Sequence, residues 1–146
     1  MRKLKLQMQI SLDGYNAAGP SDEQKWVTWD VEGIRPHVVG LLDSADTILL
    51  GRKLAVDYIP FWLSTVQNAE DPMHDIATRI VAARKIVFTK TLSESIWPNT
   101  ELARGELKAE VLALKSQPGK DILVYGGSSF VAALLKAGLV DDLHLL

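Results

Sequence analysis

The feature that most constrains this chain is an alternation of short, branched apolar runs with longer stretches of helical periodicity. "ADTILLGRK" is closed by Gly51, "ARKIVFTKTL" is equally compact, and "ILVYGG" runs into Gly126 and Gly127. Runs of this length, rich in branched side chains, read as interior strands. The first strand has a different signature: Leu4, Leu6, Met8 and Ile10 fall at period two, as in a half-buried strand, and it ends at "SLDG". "VDDLHLL" adds a last strand. Strands and helices alternating at this spacing predict an α/β fold, a three-layer sandwich with a mainly parallel central sheet flanked by helices.

The segments between the strands supply the flanking layers. Val31, Ile34, Val38, Leu41 and Leu42 recur at helical spacing, with Pro36 in the early part, and Ser21 or Asp22 is placed to cap a short helix before them. "NAEDPMHDIATRIVAARK" carries acid in its first turn after Asp71-Pro72 and basic residues towards its end, matching the helix dipole. "TELARGELKAEVLALKSQ" reads as a more polar helix with Leu107, Val111 and Leu114 as its buried stripe, and "SFVAALLKAGL" as a helix stopped by Gly138. "DYIPFW" reads as a loop covering the groove, within reach of Tyr58.

Composition removes several classes of function. At 146 residues and 47% hydrophobic, the chain is one domain with room for a core and none for a second. A net charge of -2 with scattered Lys and Arg leaves no basic patch for nucleic acid. There is no cysteine, and His37, His74 and His144 lack ligand spacing, so neither a disulfide framework nor a metal site is expected. The N-terminus alternates polar and apolar positions instead of building a signal-peptide core, and no run is long enough to span a membrane. A cytoplasmic protein with a small-molecule ligand is the expectation that remains.

The strand ends carry the candidate chemistry. In an open α/β sheet, ligands sit beyond the carboxyl ends of strands, where a helix offers free N–H groups and the positive end of its dipole. Gly126 and Gly127 stand at such a place; without a Cβ the backbone can approach an anion, and Ser128 and Ser129 can cap the helix or donate to phosphate oxygens. Gly51, Arg52 and Lys53 follow a second strand, and Thr89, Lys90 and Thr91 a third. Taken alone, the glycines and serines read as well as a tight turn with capping hydroxyls, and the strand-end charges more often as solvated loop residues. Their recurrence at successive strand ends makes a dinucleotide phosphate groove the joint reading, although neither GxGxxG nor a Walker loop is present.

"QISLDGYNA", "ILLGRK", "KIVFTKTL" followed by Trp97 and "NT", and "DILVYGGSSFVAALLKAGLVDDLHLL" resemble, in that order, the dihydrofolate reductase-like family. The branch they are most similar to includes the reductase domain of riboflavin-biosynthesis deaminase-reductases, and the resemblance runs from about Lys3 to Leu146. It implies an NADPH-dependent reductase that transfers hydride to a small pterin- or pyrimidine-like heterocycle, in the manner of dihydrofolate reductase or 5-amino-6-(5-phosphoribosylamino)uracil reductase. By position it places Gly51, Arg52 and Lys53 near the cofactor phosphates and Thr89 and Lys90 near the adenosine ribose and its 2'-phosphate. It places Gly126, Gly127, Ser128 and Ser129 under the pyrophosphate, with Phe130 opening that helix, and it implies a cis peptide between the two glycines.

The departures from the family pattern are specific. Leu54 stands where the family commonly has Thr, removing a hydroxyl on the nicotinamide side. The acid that faces the pterin in dihydrofolate reductases has only Asp30 and Glu32 as candidates. Family members continue beyond the "DDLHLL" strand, so the resemblance implies a truncated form or a sheet completed by a partner, and an unpaired edge there points to a homodimer.

For substrate contact the candidates are Asp13 in "SLDG", Trp29, Asp30 and Tyr58; an Asp before Gly is more often a turn former, and Asp13 and Asp30 are the candidate catalytic acids. Trp26, Trp62 and Trp97 read as packing, and His144, alternating with leucines, as a sheet residue. Two other classes remain open: a nucleotide-binding protein that keeps the fold without turnover, and a subunit whose role is assembly.

Overall fold

The computed structural model describes residues 1–17, 19, 26–27 and 30–146. The candidate caps Ser21 and Asp22, and Trp29, lie outside the described residues. Six strands form one sheet: β1 (Leu4–Met8), β2 (Ala45–Gly51), β3 (Arg84–Phe88), β4 (Thr100–Ala103), β5 (Asp121–Gly126) and β6 (Asp142–Leu145). Their order is β4-β3-β2-β5-β1-β6, and every pairing is parallel. The helices are α1 (Val31–Asp43), α2 (Arg52–Thr65), α3 (His74–Ala82), α4 (Leu107–Ser116) and α5 (Ser128–Lys136).

A sheet covered on both faces favours near-continuous apolar runs, and β2 and β5 carry them at Ile48–Leu50 and Ile122–Val124. Ile48, Leu50, Val87 and Leu123 point to one face and pack with Val38, Leu41, Ile59, Ile76 and Ile80 of α1 to α3. Leu4, Leu6, Leu49, Ile86, Ile122 and Val124 point to the other, against Val111 and Leu114 of α4 and Val131 and Leu134 of α5. These are the three layers expected of the α/β pattern, and β2 and β5 are buried on both sides. Asp30 caps α1 by accepting from the Gly33 N–H at 3.0 Å, and Glu106 caps α4 by accepting from Lys108 and Ala109.

Three segments differ from the sequence reading. "DYIPFW" is helical, continuing α2 from Arg52 through Pro60, because its apolar residues fall on a face that reaches Ala55 and Ile59 in the core. Thr100–Ala103 is an edge strand and not the start of a helix: Thr100 pairs with Lys85 and Ala103 with Phe88, and the Arg84 guanidinium grips the Glu101 carboxylate. Four residues are too few for a period to show. Helix α3 opens at His74, after a series of turns in which the Asp71 carboxylate accepts from the Met73 N–H at 2.8 Å.

The amino ends of the strands are pinned by charge pairs. Arg2, buried among Leu114, Lys120 and Thr47, pairs with Asp46; Lys5 meets Asp121 at 2.9 Å and Lys115 meets Asp141 at 2.7 Å. On β6, His144 Nδ1 lies 3.2 Å from His37 Nε2, which joins the edge strand to α1.

Lys85 is a different case. The residue is 3% exposed and its ammonium donates to the carbonyls of Ile80 and Val81 at 3.0 and 2.8 Å, closing the end of α3 with no carboxylate partner among the described residues. Burial therefore lowers its pKa to about 8. The unfolded chain binds more protons at this site between that value and the ordinary lysine value, so stability rises with pH across the interval. Urea midpoints should show a gain on the order of 1–2 kcal/mol from pH 8 to 9.5, and Lys85→Met should abolish the slope. A wild-type slope that survives in the variant would assign the effect to another group.

Candidate functional site

Because all strands run the same way, Gly51, Thr89 and Gly126 end three neighbouring strands on one edge of the sheet. Helix α2 leaves β2 towards one face while α5 leaves β5 towards the other, the arrangement that in open α/β sheets makes a ligand crevice at the two strand ends. Both helices start there without a side-chain cap, behind Gly51 and Gly127, and neither has an acidic residue in its first turn. Their first N–H groups and dipole ends are free to meet an anion. Arg52 and Lys53 occupy the first turn of α2, where cations oppose the dipole, and among the described residues neither makes an ion pair.

Close packing shapes the floor of the crevice. A Cβ on Gly51 would lie 3.1 Å from Phe130 Cβ and 3.5 Å from the Gly127 nitrogen. Phe130 rests against Phe88, ring centroids 5.0 Å apart, and so props the turn from below. The Gly126–Gly127 peptide is cis, as the resemblance implies, and Gly126 holds φ +147°, a region glycine alone occupies readily. A Cβ on Gly127 would meet nothing within 4 Å, so this glycine faces open space.

The hydroxyl-bearing candidates are partly engaged within the chain. Ser128 and Ser129 are exposed, and the Asn16 amide donates to Ser128 Oγ at 2.6 Å, fastening the loop after β1 to the start of α5. Thr89 is buried; its Oγ1 accepts from the Thr91 and Leu92 N–H groups, both at 3.1 Å, and shapes the turn after β3. Lys90 is exposed and its ammonium donates to the carbonyls of Arg104 and Gly105, bringing the ends of β3 and β4 together.

A cavity of about 470 Å³ opens beside this crevice, between the carboxyl end of β1 and helices α1, α2 and α3. Two residues join cavity and crevice: Tyr125 lines the cavity and precedes Gly126, and Leu54 lines it while lying 3.4 Å from where a Gly126 Cβ would be. The lining is apolar and aromatic, with Phe61 and Trp62 from α2, broken by Gln7, Gln9, Asp57, Tyr58 and Tyr125. Three buried polar atoms in it have no hydrogen-bond partner: Gln7 Oε1, Tyr58 Oη and Tyr125 Oη. The two tyrosine rings stack at 5.9 Å, and burial pushes both phenol pKa values up, so both remain protonated donors.

Of the residues predicted to touch substrate, Tyr58 lies in the cavity. Asp13 is exposed in the turn Ser11–Tyr15, accepting from Ser11 Oγ at 2.5 Å, and Asp30 is the α1 cap; neither lines the cavity. Gln7, Gln9, Leu54, Asp57, Trp62 and Tyr125 were not among the predicted contacts.

The chain matches the family of the RibD C-terminal domain over residues 2–146. It belongs to that family. Uncharacterized protein YyaP of Bacillus subtilis is 31% identical over 146 residues, which are 99% of this chain and 73% of that protein. Riboflavin biosynthesis protein RibD of Escherichia coli is 29% identical over 170 residues, 96% of this chain and 46% of the relative. The crystal structure of the diaminohydroxyphosphoribosylaminopyrimidine deaminase/5-amino-6-(5-phosphoribosylamino)uracil reductase of Thermotoga maritima shares the fold with a TM-score of 0.59, at 21% identity over 93% of this chain and 42% of that one. The chain thus spans less than half of the two RibD-type proteins. In this RibD C-terminal domain, the glycine turn, the uncapped helix starts and the cavity occupy one continuous edge of the sheet.

Gly51→Ala puts a methyl 3.1 Å from Phe130 Cβ, so Phe130 must give by a few tenths of an ångström, and stability should fall by about 1–3 kcal/mol in urea unfolding. Gly40→Ala, on α1 with nothing within 4 Å of the new methyl, should instead gain up to about 1 kcal/mol.

Proposed function

We propose that the chain is an NADPH-dependent oxidoreductase that delivers hydride to a small heterocycle of pterin or pyrimidine kind. The observation that carries the reading is the meeting of two uncapped helix N-termini and two unpaired cations at the crevice between β2 and β5, directly against a ligand-sized cavity. A pyrophosphate fits this donor set: the N–H groups of Ser128, Ser129 and Phe130 hold one side, Arg52 and Lys53 the other, and Gly51 and Gly127 leave room for the approach. Thr89 and Lys90, at the neighbouring strand end, are the proposed contacts to the adenosine ribose and its 2'-phosphate. The nicotinamide supplies the hydride when bound, so the protein has to orient, shield and protonate.

Leu54 and Tyr125 are placed for that work. Both stand between the glycine turn and the cavity, where Leu54 excludes water from the junction and the Tyr125 hydroxyl donates to a heteroatom of the acceptor. The relatives support a reductase, since the Thermotoga protein is named for one activity of that kind.

Fluorescence titration with NADPH and NADH tests the cofactor. Arg52→Ala should weaken NADPH at least about tenfold, the loss of one charge-assisted hydrogen bond, and Lys90→Ala should erode the preference for NADPH over NADH. No binding at millimolar cofactor would remove the reductase reading and leave a nucleotide-free member of the fold.

A second reading, as an assembling subunit, rests on β6. It pairs on one side only among the described residues, and Leu143 and Leu145 are 56% and 48% exposed beside it. A homodimer through this edge should sediment as a dimer at micromolar concentration, and a monomer at every concentration would exclude it.

A further inference from the structure

The charges around the cavity limit what it can hold. Asp57 carries the one formal charge among the described lining residues, and no Lys or Arg is among them. A phosphate buried there would find no charge-assisted donor and would face a carboxylate. The cations of this edge, Arg52 and Lys53, lie in the first turn of α2 and are not among the lining residues. Aromatic rings from Tyr58, Phe61, Trp62 and Tyr125 give the walls flat apolar surfaces suited to a planar ring.

The polar atoms say what that ring must carry. Gln7 is 5% exposed, yet its Oε1 has no partner, and the hydroxyls of Tyr58 and Tyr125 are buried and unpartnered in the same cavity. Few buried side-chain oxygens go unpaired in folded proteins, since each costs the desolvation of a polar group. Three in one cavity, an acceptor and two phenols, form a hydrogen-bonding pattern that the chain itself does not complete.

We propose that the cavity takes an unphosphorylated planar compound, neutral or cationic, that offers an N–H to Gln7 and ring or carbonyl acceptors to Tyr58 and Tyr125. Calling this compound a substrate rests on the reductase reading; its binding does not. It separates the chain from enzymes whose substrate carries a phosphoribosyl group, such as the one named for the Thermotoga protein. It also assigns Gln7 as a recognition residue. A strand residue held in the sheet by β1 pairing on both sides fixes its amide far more firmly than a loop would.

Calorimetric titration with matched pairs tests this: guanosine against guanosine 5'-monophosphate and riboflavin against flavin mononucleotide, with pterin and lumazine alongside. At least one unphosphorylated compound should bind, and where it has a phosphorylated partner should bind about tenfold or more tightly than that partner. Gln7→Leu and Tyr125→Phe should each weaken it several-fold, while the melting temperature of the free protein holds or rises, because each removes an unpaired buried oxygen. A structural role would instead lower the melting temperature and leave affinity unchanged. Tighter binding of the phosphorylated partners, no binding of any compound, or that structural outcome would overturn the assignment. NADPH titrated into the same samples keeps the two questions apart. Cofactor binding with no heterocycle overturns this assignment alone, and heterocycle binding with no cofactor overturns the reductase reading alone.

Discussion

Parallel pairing is the constraint from which the rest follows. Strands that all run one way need a crossover between each pair, and every crossover but the β3–β4 connection contributes to the helical layers. They also leave every carboxyl end on the same edge, where the following helices begin with their free N–H groups. Parallel strands alone would make six equivalent ends. The insertion of β5 between β1 and β2 breaks that equivalence, because α2 and α5 then depart to opposite faces from adjacent strands.

The two edges of the sheet are built on opposite electrostatic principles. At the amino ends, Arg2, Lys5 and Lys115 each find a carboxylate in Asp46, Asp121 and Asp141, and the charges are mutually satisfied. At the carboxyl ends Arg52 and Lys53 sit where the dipole of α2 disfavours them. Nothing in folding requires cations at that position. Paired charges at one edge hold the strands in register, and unpaired charges with unpaired hydroxyls at the other are what a fold carries when the compensating groups arrive with a ligand.

Much of this was legible from residue order alone. The branched runs at Ile48–Leu50, Ile86–Val87 and Ile122–Val124 identify strands buried on both faces, and glycines or a small polar residue after each mark the edge for which the anion site is proposed. The cavity was not legible in the same way. Period two in β1 assigns Leu4, Leu6 and Met8 to the core and Gln7 to solvent, but in a sheet covered on both faces neither parity is solvent. Gln7 is buried, as Leu6 beside it is, and the α/β pattern itself was the available signal. Tyr125 was hidden for a related reason, as one more residue of an apolar strand. Asp13 and Asp30 drew attention because carboxylates carry chemistry, and their short side chains instead satisfy local N–H and O–H groups, a turn in one case and a cap in the other. The stretch "DYIPFW" was obscured by Pro60, which a helix tolerates when its surroundings hold the turn.

The position of β1 has a consequence for how the molecule comes into being. Both neighbours of Leu4–Met8 are made late, β5 from Asp121 and β6 from Asp142. On the ribosome, β2, β3 and β4 can assemble in the order of their synthesis, each beside the last. The earliest strand meanwhile has no partner to pair with, and its leucines stay unburied until nearly the whole domain has emerged. The middle of the sheet is therefore the last part to close, and the crevice between β2 and β5 forms in the same event that completes the core.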